Sequence, residues 1–314
     1  MHRKPDWSKE GRAWPHRDAS RFVEAGGLRW HVQTMGDGPA VLLLHGAGAA
    51  SHSWRDMMPL LARDFTVIAP DLPGHGFTAT PRAGRGLTLP GMAEALDRLL
   101  IALDRRPVAI VGHSAGAAIG ARLAARSEGA KPRLVALNGA FQPFSGLAAH
   151  VFPVIAGAVA LNPVTIRLLS LGARDQKRVA RMLEGTGSPI AGEGLALYAS
   201  LFAAPGHVAG VLGMMARWDL RETPGHLRTL GDRLHLIASA GDLAVPSRVS
   251  GDMHRACPGS SLTIVPSLGH LAHEEAPDLF ATLTRDAVLV ADRPAETAPA
   301  RRRSRCAGGG GALR

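Results

Sequence analysis

Cysteine is scarce in this 314-residue chain: Cys257 and Cys306 are its only two, and they sit in unrelated surroundings. That argues against a disulfide framework and for a reducing compartment. Aromatic residues are few, at 4% with a single tyrosine. None interleaves with basic residues in a stripe, so no nucleic-acid partner is expected. Long apolar runs are missing too. The longest, Val151 to Leu161, is too short to span a bilayer and contains Pro153. The opening Met1-His-Arg-Lys-Pro-Asp-Trp7 has no apolar core of a secretory signal. A cytoplasmic location, at most peripheral to a membrane, is the expectation. No His/Cys/Asp/Glu group has metal-ligand spacing, so no metal is expected. Gly46-Ala-Gly-Ala-Ala-Ser51 faintly imitates a dinucleotide loop but ends in serine and follows a hairpin, so no cofactor is expected either. The net charge of +10 is concentrated: five arginines lie in residues 301–314, which hold no acid. Such a tail is either solvated, the favoured reading, or in contact with an anionic membrane.

Hydrophobic residues at 46% are enough for a sizeable core. Residues 1–20 read as a loosely packed arm. Residues 22–25 and 28–33 flank Gly26-Gly27 as a hairpin. Continuous apolar runs at 40–44, 65–69 and 108–111 read as buried strands, and 134–137, 234–238 and 261–265 read as further strands. Helices are expected at 54–61, 90–103, 115–125 and 247–256, with one closing helix over 271–290. This alternation predicts an α/β fold with a mostly parallel central sheet covered by helices on both faces. The pattern breaks between 141 and 230. That stretch has no strand-like run and has prolines at 143, 153, 163, 189, 205 and 224. It reads as short helices inserted over the sheet. The expected organisation is an arm (1–20), an α/β core (21–140 and 231–290), a helical cap insertion (141–230) and a disordered basic tail (291–314).

The most informative stretch is Val108-Ala-Ile-Val-Gly-His-Ser-Ala-Gly116. A buried strand runs through G-x-S-x-G into a helix of small residues, the strand-to-helix turn that lifts a serine hydroxyl out of a sheet. Ser114 is therefore a candidate nucleophile. A serine hydroxyl needs a base, and the base needs orienting. Such groups belong on loops at the carboxyl ends of strands. Asp242 follows the strand at 234–238 and His270 follows the strand at 261–265. The chain order Ser114, Asp242, His270 is that of α/β-hydrolases. In this reading His270 is general base and then acid, Asp242 orients it, and the amides of Ala115 and Ala47 form an oxyanion hole. His45, His75 and His273 read as structural. His113 is either structural or a shaper of the pocket.

His45-Gly-Ala-Gly48, Asp71-Leu-Pro-Gly-His-Gly76, Gly112-His-Ser-Ala-Gly116, Asp242-Leu-Ala-Val-Pro246 and Gly269-His270 occur in that order. On these the chain resembles the α/β-hydrolases from about residue 22 to 290. Two departures are visible. Ser239-Ala240 stands where the family often has Gly-Glu, and Asn138 occupies a place where some relatives carry their acid. A serine at 114 excludes the branches of the family that use an aspartate nucleophile.

More particular stretches are Ser51-His-Ser-Trp-Arg-Asp56, Leu137-Asn-Gly-Ala-Phe141, Gly185-Thr-Gly-Ser188, His207-Val-Ala-Gly210 and Met214-Met-Ala-Arg-Trp-Asp-Leu220. These resemble the magnesium-chelatase accessory proteins of bacteriochlorophyll biosynthesis, over about Trp14 to Leu279. That resemblance implies a role near magnesium insertion into protoporphyrin. A tetrapyrrole or another hydrophobic small molecule, and the chelatase subunits, are the implied partners. His113, Trp54, Phe141, Phe144, Met214 and Trp218 are candidates to line an apolar pocket, although for Phe144, Met214 and Trp218 taken singly a place in the core is the favoured reading. His150 and His207 are weaker candidates to ligate a porphyrin's magnesium. Two functions stay open: a serine hydrolase, and a binding protein on a hydrolase scaffold.

Overall fold

Side-chain alternation along the strands decides how the sheet is covered. A computed structural model of the chain describes residues 2–82, 84–127, 129, 131–142 and 162–289. Its strands are β1 (Ser20–Ala25), β2 (Leu28–Met35), β3 (Ala40–Leu44), β4 (Thr66–Pro70), β5 (Ala109–His113), β6 (Arg133–Leu137), β7 (Leu234–Ser239) and β8 (Ser261–Val265). They form one eight-stranded sheet in the order β1-β2-β4-β3-β5-β6-β7-β8. Strand β2 pairs antiparallel with β1 and β4, and every other neighbouring pair is parallel. The predicted α/β class, with a mostly parallel sheet, is the observed one.

The helices among the described residues are α1 (Met57–Leu61), α2 (Leu89–Ala102), α3 (Ala115–Arg126), α4 (Pro163–Gly172), α5 (Gln176–Glu184), α6 (Gly192–Phe202), α7 (Pro205–Met215), α8 (Thr223–Arg228), α9 (Arg248–Ala256), α10 (Ala272–Glu275) and α11 (Pro277–Leu289). Every residue of β3, β4 and β5 is buried, as strands covered on both faces must be. Val41, Leu43, Val67 and Val111 face a core shared with Trp54, Met58 and Phe280, under α1 and α11. Their neighbours Leu42, Leu44 and Ile110 face a second core with Met92, Leu96, Ile119 and Met253, under α2, α3 and α9.

Prolines mark helix starts in the segment between β6 and β7. Asn162 caps α4 by accepting from the amides of Val164 and Thr165, and Pro163 follows it. Pro205 opens α7, and Pro224 lies in the first turn of α8. A missing N–H costs nothing in a first turn, where no intrahelical acceptor exists. Pro277 has the opposite effect on the expected closing helix. It forces Ala276 out of helical geometry (φ −137°), so the segment divides into α10 and α11. The helix expected at 54–61 is also shorter, because Ser51–Trp54 forms a tight 3-10 turn before α1.

The arm is packed rather than loose. Trp14 is 3% exposed, and its indole N–H donates to Ser51 Oγ at 3.1 Å. Trp7 packs edge-on against Phe22 and Phe77, under the Arg17 guanidinium. Two tryptophans bury enough apolar area to hold a segment that proline and charge made look mobile. Among the described residues no single helix is long and apolar enough to cross a membrane. Helices α6 and α7 are apolar together but bent by 83°, and much of each is buried. Phe144, His150, Cys306 and the arginine-rich tail lie outside the described residues.

Candidate active site

Strand β5 delivers its last residue, His113, directly into Ser114, whose backbone lies at φ 51°, ψ −115°. A non-glycine residue rarely adopts that conformation, which costs about 1–3 kcal/mol. The glycines around it are required by crowding. A Cβ on Gly112 would lie 2.5 Å from Ala117 Cα, and one on Gly116 would collide with the Leu44 carbonyl. Helix α3 begins at Ala115, so its amino-terminal partial charge faces the space beside Ser114. Among the described residues the Ser114 hydroxyl makes no hydrogen bond, so the scaffold does not occupy it.

The two other candidates meet at the carboxyl end of the sheet. His270 Nδ1 lies 2.7 Å from Asp242 Oδ2. Asp242 Oδ1 accepts from the amides of Ala244 at 2.8 Å and Val245 at 2.7 Å, so the carboxylate is fixed in the plane it presents to the imidazole. A proton on Nδ1 leaves His270 Nε2 as the basic nitrogen. The loop after β3 closes the other side: a Cβ on Gly46 would lie 3.2 Å from Ser114 Cβ. Ala47, the proposed second oxyanion donor, is exposed on that loop. Neither its amide nor that of Ala115 has a backbone acceptor among the described residues.

The loop carrying His270 is held on three consecutive amides. Gly269 N donates to Glu275 Oε1 at 3.0 Å, His270 N to the Thr186 carbonyl at 3.2 Å, and Leu271 N to Ser188 Oγ at 2.7 Å. Ser188 donates in turn to Glu275 Oε1 at 2.6 Å. Thr186 O also accepts from Leu243 N, beside Asp242. Gly187 has to be glycine: its φ is +88°, and a Cβ there would collide with the Gly241 carbonyl. The Gly185-Thr-Gly-Ser188 stretch, noticed in the sequence without a role, thus clamps the acid and base loops together.

The His270 carbonyl accepts from His113 Nε2 at 2.8 Å and from Asn138 Nδ2 at 2.9 Å. Asn138 Oδ1 receives the Ser239 amide at 2.8 Å. Asn138 therefore ties the ends of β6 and β7 to the histidine loop. The His113 ring lies tilted against His270 at 4.7 Å and against His273 at 4.4 Å, and His273 lies tilted against Trp54 at 4.7 Å. Burial, reinforced by the neighbouring histidines, holds His113 well below the ordinary imidazole range and His273 at about 3. Both rings are neutral supports.

A second buried network secures the loops under α6 and α7. Burial alone would raise the Asp71 carboxyl, but His31 Nδ1 at 3.0 Å and His45 nearby pull it well below the usual carboxylate range. Asp71 also accepts from the amides of Ser51 and Phe77. His45 Nε2 accepts from Leu72 N at 2.9 Å, a supporting role. His75 is wholly buried, and burial, with His45 and His207 adding to it, keeps its ring neutral. His207 of α7 accepts from Gly76 N at 3.0 Å through Nδ1 and donates to the Gly48 carbonyl at 3.1 Å through Nε2. Burial lowers it to about 3. Both nitrogens are used, so His207 has no lone pair left for a magnesium ion. Tyr198 of α6, the chain's single tyrosine, donates to Glu274 Oε1 at 2.7 Å. Ser53 and Arg55 complete the shell of that buried carboxylate.

The expected pocket residues are mostly core. Trp54 is 0% exposed, Phe141 and Met214 1%, and His113 2%. They present no surface to a ligand, because large apolar and aromatic groups fill the space under the loops. Trp218 is half-buried against the same core as Phe141 and Met214. Phe144 lies outside the described residues. A groove of about 460 Å³ does open elsewhere, between α4, α5 and α7, lined by Leu168, Leu169, Met182, Phe202, Val208 and Val211 among others. Phe202 connects it to the loop beside Ser114: a Cβ on Gly48 would lie 3.0 Å from its ring. Among the described residues no group of His, Cys, Asp or Glu has the arrangement of a metal site.

A mostly parallel sheet with a strained serine between β5 and α3 defines a class. Residues 39–277 match the alpha/beta hydrolase fold family, and the chain belongs to it. Within that family it is 42% identical over 267 residues to the magnesium-chelatase 30 kDa subunit of Rhodobacter capsulatus, covering 84% of this chain and 93% of that protein. It is also 27% identical to the 2-hydroxy-6-oxo-2,4-heptadienoate hydrolase of Pseudomonas putida, covering 88% and 98% of the two chains. A solved α/β hydrolase fold protein from Burkholderia ambifaria superposes with a TM-score of 0.72 at 22% identity, covering 86% of this chain and 98% of that one. That last likeness is one of fold.

Proposed function

We propose that the protein is a serine hydrolase that cleaves an ester, thioester or similar acyl bond in a hydrophobic substrate, as an accessory to magnesium chelatase. Two observations support the reading: the His270–Asp242 pair at 2.7 Å, and a strained Ser114 whose hydroxyl has no hydrogen-bond partner among the described residues. Ser114 Oγ attacks the acyl carbon while its proton passes to His270 Nε2. Asp242 stabilises the imidazolium so formed. The amides of Ala115 and Ala47 receive the oxyanion, and loss of one such donor typically costs about 3–4 kcal/mol. Collapse expels the leaving group with the proton from His270. Water then releases the acyl group by the same steps in reverse. The accessory role rests on the identity to the Rhodobacter capsulatus subunit.

The same relative supports a second reading. In it the cap (141–230) and core bind a tetrapyrrole or a chelatase subunit, and the triad is inherited but idle. A fluorophosphonate probe separates the two. On the hydrolase reading it labels the wild type stoichiometrically and leaves Ser114→Ala and His270→Ala unlabelled. Protoporphyrin added beforehand protects Ser114 if the pigment shares the pocket. A folded, unlabelled wild type that binds porphyrin saturably, with Ser114→Ala binding equally, overturns the hydrolase and leaves the binding protein.

A further inference from the structure

We propose that the outward face of α4 and α5 docks on an anionic lipid surface. Helix α4 is inside out. Val164, Leu168 and Leu171, spaced i, i+4, i+7, are 65%, 61% and 46% exposed, whereas its buried positions are Ile166 and Ser170. Leu169 of α4 and Met182 of α5 extend the apolar surface at 50% and 46% exposure. An ordinary surface helix carries its apolar stripe inward, and a contiguous outward stripe marks an interaction site.

The charges around that stripe select the partner. Arg167, Arg174, Lys177, Arg178 and Arg181 are all exposed, and the only acids between 163 and 184 are Asp175 and Glu184, a balance of five minus two. Exposed leucines lie close in sequence to exposed long cationic side chains, of which, among the described residues, only Arg178 is paired, with Asp175. They match the interface of a bilayer, where the leucines enter the acyl boundary and the cations reach anionic headgroups. A second copy fits poorly. A two-fold contact through this face would bring five cations against the same five. The apolar groove of about 460 Å³ opens between the same helices and is lined by Leu168 and Leu169. A greasy ligand dissolved in the membrane would meet the protein at that opening. The docking surface stands whether or not Ser114 turns over.

Flotation of the full chain with vesicles tests this, using phosphatidylcholine alone and phosphatidylcholine with phosphatidylglycerol. Three sets of substitutions accompany the wild type: Leu168→Ser with Leu171→Ser; Arg167→Gln, Arg174→Gln and Arg178→Gln together; and Arg301, Arg302, Arg303 and Arg305 of the tail all to Gln. Binding is expected on the anionic vesicles only. The leucine pair should weaken it about tenfold or more, and the three arginines about a hundredfold at low salt. Tail neutralisation should leave most of it. Hydrogen exchange on the wild type, with and without vesicles, gives a reading free of folding artefacts, with protection expected over 163–184. Three results overturn the proposal: no flotation of the wild type, flotation lost only with the tail arginines, or light scattering showing a dimer that the leucine pair dissociates.

Discussion

Replacing Ser188 by alanine tests how the histidine loop is held. The hydroxyl makes two short bonds, accepting from Leu271 N at 2.7 Å and donating to Glu275 Oε1 at 2.6 Å. Ser188 is 0% exposed, so water cannot replace them without rearrangement. An orphaned buried N–H costs about 1–3 kcal/mol. The Glu275 carboxylate keeps the Gly269 amide as a partner, so its own loss is smaller. We expect a total of about 2–3 kcal/mol, read as a fall of roughly 4–10 °C in the unfolding midpoint. At 20 °C the variant stays folded, and the functional effect is separable. His270 lies between the two amides that Ser188 and Glu275 hold. Displacement of such a base by about 1 Å lowers reactivity up to about a hundredfold. The rate of fluorophosphonate labelling, normalised to folded protein, should therefore drop at least tenfold. A lowered midpoint with labelling unchanged within twofold would refute a positioning role. An unchanged midpoint would refute the bonds themselves.

Two further outcomes follow from charges drawn out of water, the fully buried Asp71 and the half-buried Lys4, whose ammonium donates to the Gly74 carbonyl at 2.8 Å. Asp71→Asn should destabilise by about 2–4 kcal/mol at pH 7. Because the folded carboxyl titrates below its ordinary value of 3.8, that stabilisation is present above pH 4 and fades below it, so urea midpoints of wild type and variant should converge under pH 4. Lys4 is the reverse case. Burial lowers its ammonium from 10.5 to about 7, so between those values the unfolded chain binds more protons and stability rises with pH. Lys4→Met should abolish that rise between pH 7 and 10 in thermal unfolding.

The central strands β3 and β5 were legible because parallel strands buried on both faces read as nearly unbroken runs of Ala, Val, Leu and Ile. The turn at Ser114 was legible because its glycines are a steric necessity. Asp242 and His270 could be matched because each follows a strand, and loops at strand ends converge. What lay beyond reach was long-range. Ser188 meets Leu271 across 83 positions and Tyr198 meets Glu274 across 76, and neither pairing leaves a periodic trace. Trp54, Phe141 and Met214 show a different limit. A greasy residue destined for a core and one destined for a pocket have the same chemistry, and only the packing separates them. The arm was misjudged for a related reason. Its prolines and charges suggested looseness, while Trp7 and Trp14 supplied the contacts.

The helices between β6 and β7 are fastened unequally. Helix α6 is tied through Tyr198 to Glu274, and α7 through His207 to Gly48 and Gly76. Helix α4 buries only Ile166 and Ser170. Local opening free energies should therefore be graded, lowest at α4 and close to the global value at α6 and α7. Among the described residues these helices then behave as a fixed body with one loose member rather than as a hinged lid. A ligand entering the groove between α4, α5 and α7 would then be timed by the excursions of α4.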